Sequence, residues 1–253
     1  MPVDVTRPTA NDSLSLEEYA LYALLMRYRA AEGLPAIPLS QAMTVTAGRH
    51  AVDTVQNIWL EGLRLPNGAN LHSWSDAPYF PDHRDPEIMW EAPARLGTGF
   101  AGFGFEISVE MSGDTSIQQA LRAWQGSSGH DDVIVNNAVW ATFQWKSIGV
   151  GIDRGPDGRT IMHVWFSDTA DSAPPRLTGT AGAETITGTG FGARTQFQQF
   201  TPFDHRHRQA FGCAIRCPEA CVRRQQFQHP LHDLRWHRRA GTGRAPNAGQ
   251  RLA

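Results

Sequence analysis

The sequence predicts an α/β fold, an α/β/α sandwich with helices on either side of a small, mainly antiparallel sheet, followed by a largely disordered tail. Three observations lead there. Two amphipathic helical stretches occupy the first 60 residues, a hairpin signal covers residues 147 to 166, and the composition changes abruptly near residue 192.

Ser15 and Glu18 make a capping box, and Leu16, Tyr19, Ala20, Ala23, Leu24 and Arg27 follow at helical spacing until Gly33 and Pro35, so a helix is expected over 15–32. A second begins near Ser40, with Met43, Ala47, Ala51, Val55, Ile58 and Trp59 as its apolar stripe, and ends before Leu65-Pro66-Asn67-Gly68. Residues 66–98 are rich in Pro, Asp and aromatics and read as loop, with one helical turn at Pro86 to Trp90. Gly99 to Ser108 alternates small and aromatic residues, as in a strand or strand edge approached closely by another backbone. Asp114 or Thr115 could cap a third helix with Ile117, Ala120, Leu121 and Trp124 inside, ended by Gly126-Ser-Ser-Gly129. Ser147 to Asp153 and Thr160 to Phe166 flank Arg154-Gly-Pro-Asp-Gly158, a hairpin with turn chemistry at its centre.

With 253 residues and 41% hydrophobic content, the chain can bury a sizeable core. Its net charge of −2 conceals two different materials: residues 194–253 hold 11 Arg, no Lys and 3 acidic residues, a net of +8, which leaves −10 for residues 1–193. Cys213, Cys217 and Cys221 all lie in the basic part, so the acidic part folds without a disulfide or a thiolate metal site. The first 15 residues lack the basic and apolar regions of a secretory signal, and no apolar run reaches membrane-spanning length, so neither a signal peptide nor a membrane span is expected.

The residues that could carry chemistry are His72, Glu106 and His130, each in a loop or strand edge rich in Gly, Ser or aromatics and separated by whole elements. Two imidazoles and a carboxylate suit Zn²⁺ with an open position for water; without metal the same groups can serve as general base and orienter. The alternative is a set of loop histidines hydrogen-bonded to backbone. His50, Asp53 and Asn57 lie beside the apolar stripe of the second helix, where His50 is expected at the helix surface or capping a polar contact. Asp82 and His83 read as solvated loop, and His163, alternating with Trp165, as a strand position with no chemical role.

Taken in order, Arg49-His50-Ala51, Leu71-His72-Ser73, Gly102-Phe-Gly-Phe-Glu-Ile-Ser108, Ala123-Trp-Gln-Gly-Ser-Ser-Gly-His130 and Ile148-Gly-Val-Gly151 resemble the CAP superfamily: cysteine-rich secretory proteins, antigen 5 and pathogenesis-related class 1 proteins, also called the SCP domain. The likeness is to its disulfide-free bacterial form and covers residues 14–170. It implies an α/β/α sandwich with a cleft lined by two histidines and acidic residues that binds a divalent metal in several members. His72 and His130 match the two cleft histidines and Glu106 the acid. Gly104-Phe-Glu-Ile107 stands where the family has Gly-Glu-Asn-Ile or Gly-Glu-Asn-Leu, which displaces Glu106 by one and loses the Asn. Gln118, Gln119 and Gln125 offer amides where eukaryotic members carry a further acid. On this resemblance Trp74, Tyr79 and Phe80, with Pro78, form a rigid wall that fixes His72 and offers a ligand apolar or stacking surface; otherwise they cover one end of the sheet.

Residues 1–13 read as a disordered N-terminus, and Ala173-Pro174-Pro175 sits in a linker at 171–176. Residues 177–192 then resemble a single repeat of an RTX, or haemolysin-type, region, on the spacing of Gly179, Gly182, Glu184 and Ile186. The resemblance implies export by type I secretion machinery and Ca²⁺ for an intact region, but one turn has no neighbour to complete the ion's oxygen shell. At 193 and 194, where the next acid is due, the chain reads Ala-Arg, and residues 193–253 are expected to be a basic, low-order tail produced by a frame-shifted translation of such a region. That tail has no zinc-module spacing and no nucleic-acid-binding fold, so no nucleic acid is expected.

The functional expectation is an extracellular protein whose cleft binds a small apolar, lipid or peptide ligand, or a cytoplasmic one if the C-terminal export signal is lost. The alternatives are a metal-assisted, peptidase-like hydrolase using His72, Glu106 and His130, and a structural or adhesion protein with an idle cleft.

Overall fold

A computed structural model describes residues 1–113, 115–178 and 185–187, all within the unit Met1–Gln198. Ser15 opens α1 (Leu16–Ala31) as expected, its Oγ accepting from the Glu18 amide at 3.2 Å while Glu18 Oε2 accepts from the Ser15 amide at 2.7 Å. The second Glu18 oxygen accepts from the Ile152 amide at 2.8 Å, so the capping residue also ties the helix to the sheet. Ser40 caps α2 (Gln41–Val52), whose axis continues as a π-helical segment over Asp53–Leu60. Short helices follow at Glu87–Trp90 (α3) and Ala92–Arg95 (α4).

The strand expected from Gly99 starts later, as β2 over Phe105–Ser112. The third helix, α5 (Ile117–Gln125), is capped by Ser116, because the Thr115 hydroxyl donates to the Gly113 carbonyl at 3.2 Å and Gln119 completes a capping box with Ser116. The Gly-Ser-Ser-Gly stretch ends α5, but a further helix, α6 (Ser128–Ile134), starts inside it and carries His130, which the sequence places in a loop. β3 (Ser147–Arg154) and β4 (Arg159–Ser167) form the expected hairpin, closed by a Gly158 N–H to Gly155 O bond of 3.0 Å with Gly158 at φ +83°.

The main sheet is antiparallel in the order β2-β4-β3, with Glu106 opposite Trp165, Ser108 opposite His163, and Gly151 opposite His163 on the other side. Met162, Val164 and Phe166 point to one face and pack with Leu21, Leu25, Ile107, Trp124 and Val150, from α1, β2, α5 and β3. The α2 helix covers the other face. A Cβ at Gly149 would stand 2.1 Å from the Met43 backbone and one at Gly151 2.2 Å from the Ala47 carbonyl oxygen, so Ile148-Gly-Val-Gly151 lets helix backbone rest on strand backbone. This is the α/β/α sandwich.

Two segments depart from expectation. Residues 1–13 pack along α2 instead of being disordered: Val5 is buried, and the buried Arg49 guanidinium grips Asp12 at 2.6 and 2.8 Å and donates to the carbonyls of Val5, Thr6 and Leu96. Residues 171–176 run along the start of α2, where Asp171 accepts from Ser40 Oγ and the Ala42 amide at 2.7 and 2.9 Å. β5 (Arg176–Thr178) pairs in parallel with β1 (Leu14–Ser15) and antiparallel with β6 (Thr185–Thr187). The expected disordered tail, and with it the rest of the RTX-like repeat, its calcium and the cysteine-bearing residues, lie outside the described residues.

Candidate functional site: one buried carboxylate, three imidazoles

Glu106 faces α2 because Phe105 and Ile107 on either side of it enter the opposite core. Its carboxylate meets three Nδ1 atoms. Oε1 is 2.6 Å from His50 and 2.8 Å from His163, and Oε2 is 2.7 Å from His72. The side chains of Glu106, His50 and His163 are fully buried, whereas that of His72 is 16% exposed, so the group reaches solvent at His72.

His50 arrives from α2 and is sandwiched by rings, with Trp74 stacked at 4.0 Å and His163 at 3.9 Å. Its Nε2 lies 3.0 Å from the Ser73 carbonyl, an acceptor only, so Nε2 carries hydrogen. With Nδ1 facing a carboxylate, both nitrogens donate and the ring is an imidazolium. Burial alone would lower its pKa; the charge and hydrogen bond of Glu106 and the Ser73 carbonyl outweigh that and raise it. Burial likewise opposes ionisation of Glu106, and the charge on His50, with hydrogen bonds from His163 and His50, holds its carboxyl well below the usual range. His163 goes the other way. Burial, and then the charge on His50, push it down to about 4, so it is neutral. Its Nδ1 also lies 2.7 Å from Ser108 Oγ, and its Nε2 lies 3.2 Å from Thr54 Oγ1, which fits an Nδ1–H tautomer accepting from the Thr54 hydroxyl.

The aromatic loop holds this arrangement closed. Trp74 and Ala77 exchange backbone hydrogen bonds of 3.0 and 3.2 Å, and Asp53 anchors the turn by accepting from the Ser75 amide and hydroxyl, both at 2.6 Å. Trp74 is fully buried, with the Arg95 guanidinium 4.9 Å from its ring centre. Tyr79 is 2% exposed; its hydroxyl bonds His83 Nδ1 at 2.8 Å and its ring meets His72 edge-on. Phe80 is half-buried under the Arg84 guanidinium. Trp74 and Tyr79, expected as ligand surface, are therefore part of the packing around His50 and His72.

Of the three residues expected to converge, Glu106 and His72 are in contact, while His130 stands apart from that carboxylate. His130 is half-buried on α6 with Nδ1 2.8 Å from Ser127 Oγ, and burial, then the charge of nearby His72, lowers its pKa. His50 and His163, expected to have no site role, are the buried partners instead. Each carried a signal. Residues 50, 53 and 57 form a polar stripe at helical spacing beside the apolar one, and His163 alternates with Ile161 and Trp165 on a strand facing the glycines of β3.

The ligand atoms of His50, Glu106 and His163 all lie within 4.8 Å of one another, and the group could hold a metal ion. The donor set suits Zn²⁺, and the His50 bond to the Ser73 carbonyl is the support a metal-binding imidazole usually has. The orientation does not suit it as it stands. The two rings are stacked 11° from parallel, so their Nδ1 lone pairs run side by side, and an ion bound by both requires one ring to turn.

No protein-family model matches the chain, and no curated protein matches it. Among solved structures it is similar to an outer surface protein of Borrelia burgdorferi, at 17% identity over 64% of this chain and 95% of that one, with a TM-score of 0.38. It is also similar to a cysteine-rich secretory protein of Staphylococcus aureus, at 10% identity over 60% of this chain and 38% of that one, with a TM-score of 0.37. Likenesses this slight carry no argument about fold or function, and the site stands on its own geometry. No described helix is long and apolar enough to cross a membrane.

Proposed function

We propose that the chain is a CAP-like extracellular binding module, with His72 and His130 as its recognition groups and Glu106 as the buried organiser beneath them. The observation behind this reading is the saturation of Glu106, whose two oxygens accept from imidazoles and whose side chain is fully buried. A general base must come within about 2.6–3.2 Å of the proton it takes, directly or through one water. A sealed carboxylate held well below its ordinary range is a poor candidate. That weighs against the peptidase-like hydrolase with Glu106 as base.

His72 and His130 each bind a protein group through Nδ1 and leave Nε2 for a ligand, either Zn²⁺ or the polar end of a small apolar, lipid or peptide molecule. Export by type I machinery belongs to this proposal and rests on the RTX-like residues alone.

Zinc titration by calorimetry into the full chain tests the reading, with the His72→Ala, His130→Ala double variant as control. Micromolar binding lost in the variant, without turnover of peptide or ester substrates, is the expected result. Peptide turnover by the parent chain, lost in a Glu106→Gln variant shown to be folded, would establish the hydrolase, and absence of zinc binding in the folded chain would remove the metal from the proposal.

A further inference from the structure

A cavity of about 300 Å³ lies between the π-helical segment Asp53–Leu60 and the loop that leads to His72. Ile58, Trp59, Leu65 and Leu71 supply its apolar walls, and Thr54 and Asn70 its polar side. None of the residues that line it is ionisable. We propose that this cavity is a binding site for a compact, neutral ring compound of about two fused rings, bearing one hydrogen-bond acceptor.

Size comes first. A cavity of roughly 150 Å³ takes a benzene ring, and ligand pockets start at about 300 Å³, mostly apolar with a few placed polar groups. Charge comes second, because an ionised ligand would lose its hydration among these walls, and the cation beside them, the Arg159 guanidinium 4.1 Å from the Trp59 ring centre, is already paired with Asp157 and Glu110. The polar group comes third. The Asn70 side-chain oxygen accepts from the His72 amide at 3.1 Å, which orients the carboxamide and leaves its NH₂ without a partner among the described residues. The wall itself is unusual, since π-helical turns are rare and frequent at functional sites; a bond from Leu63 N–H to Ile58 O of 3.0 Å continues the wide turn. The site is separate from the outward nitrogens of His72 and His130 but adjoins the buried group, because Thr54 bonds His163 and the Ser73 carbonyl in the same wall accepts from His50.

Calorimetric titration of 1-naphthol into the full chain tests this, with 1-naphthoate as a charged analogue of the same size. The expected result is saturable one-to-one binding of naphthol, with naphthoate at least tenfold weaker. Ala69→Phe, which fills the cavity from the loop side, should abolish binding at an unchanged thermal midpoint, and Asn70→Leu, which keeps the volume and removes the amide, should weaken it about tenfold in a chain that still folds, with its midpoint lowered by loss of the bond to the His72 amide. The His72→Ala, His130→Ala variant should bind naphthol as the parent does, so this site can fail without the metal-binding reading failing. Absence of naphthol binding by the folded chain, equal binding of naphthoate, or binding untouched by both cavity variants would overturn the proposal.

Discussion

His50 and Glu106 form an ion pair of 2.6 Å with neither side chain exposed, and the imidazolium lies between the faces of Trp74 and His163. A charge in such a place survives only with every donor and acceptor engaged. Here they are: His50 donates at both nitrogens, and Glu106 accepts at both oxygens.

Removing one partner exposes the cost. Glu106→Gln keeps the shape and leaves His50 either an unpaired buried cation or deprotonated, which is expected to cost about 3–5 kcal/mol of folding stability. Pairing it with His50→Gln should restore part of that loss. Urea unfolding of the two single variants and the double variant measures the coupling.

Stability should depend on pH with a maximum near about 6.5, the ordinary histidine value. His163 has its pKa pushed down to about 4, so below 6.5 the unfolded chain takes up a proton that the folded chain refuses, and stability falls by about 3 kcal/mol as pH drops toward 4. Glu106 adds to this at lower pH: with its folded pKa depressed, its contribution is present above 4.5 and lost as pH falls through the folded value. His50, raised, contributes fully below 6.5 and loses that contribution as pH climbs through its folded value. Urea midpoints measured between pH 4 and 9 check the shape, and a flat profile would contradict these assignments.

Gly151→Ala puts a methyl 2.2 Å from a helix carbonyl oxygen that cannot retreat without lifting α2 from the sheet. The expected loss is about 3 kcal/mol or more, at the upper end for overpacking. Alanine at Gly158, where no neighbouring atom lies within 4 Å, meets only the penalty of its positive φ and should cost less.

Arg49 holds the first 12 residues against α2 through Asp12 and two backbone carbonyls. In the parent chain, thermolysin cleavage before the buried Val5 should therefore be slow under native conditions. Arg49→Ala should release the segment and speed that cleavage at least tenfold, read by mass spectrometry, while the rest of the domain resists.

The caps of the first two helices, the hairpin and the layered architecture were legible because each depends on local chemistry: Ser15 with Glu18, Ser40 ahead of its apolar stripe, and Gly158 at a positive φ; the third cap, Ser116, was missed by one or two residues. The choice of histidines was less so. His72 and Glu106 stood out by their flanking residues, but whether His130 or His163 approaches Glu106 depends on register, since Ser108 opposite His163 brings that imidazole to the carboxylate. His50 was hidden by its helix, where one side of a polar stripe can face water or the core equally well until the α2 backbone is seen resting on Gly149 and Gly151. Ordering of residues 1–13 was likewise invisible locally, because it comes from distant side chains: the Arg49 guanidinium on Asp12 and the Asn57 carboxamide on the Val3 backbone.

A protonated His50 neutralises Glu106 while His163 beside it stays neutral. Nitrogen-15 NMR of the imidazole side chains in the full chain at pH 7 tests this most directly. Imidazolium shifts are expected at both nitrogens of His50, and a single neutral tautomer, protonated at Nδ1, for His163. A neutral His50, or a spectrum in which His50 and His163 both carry the shifts of metal-bound imidazole, would contradict it.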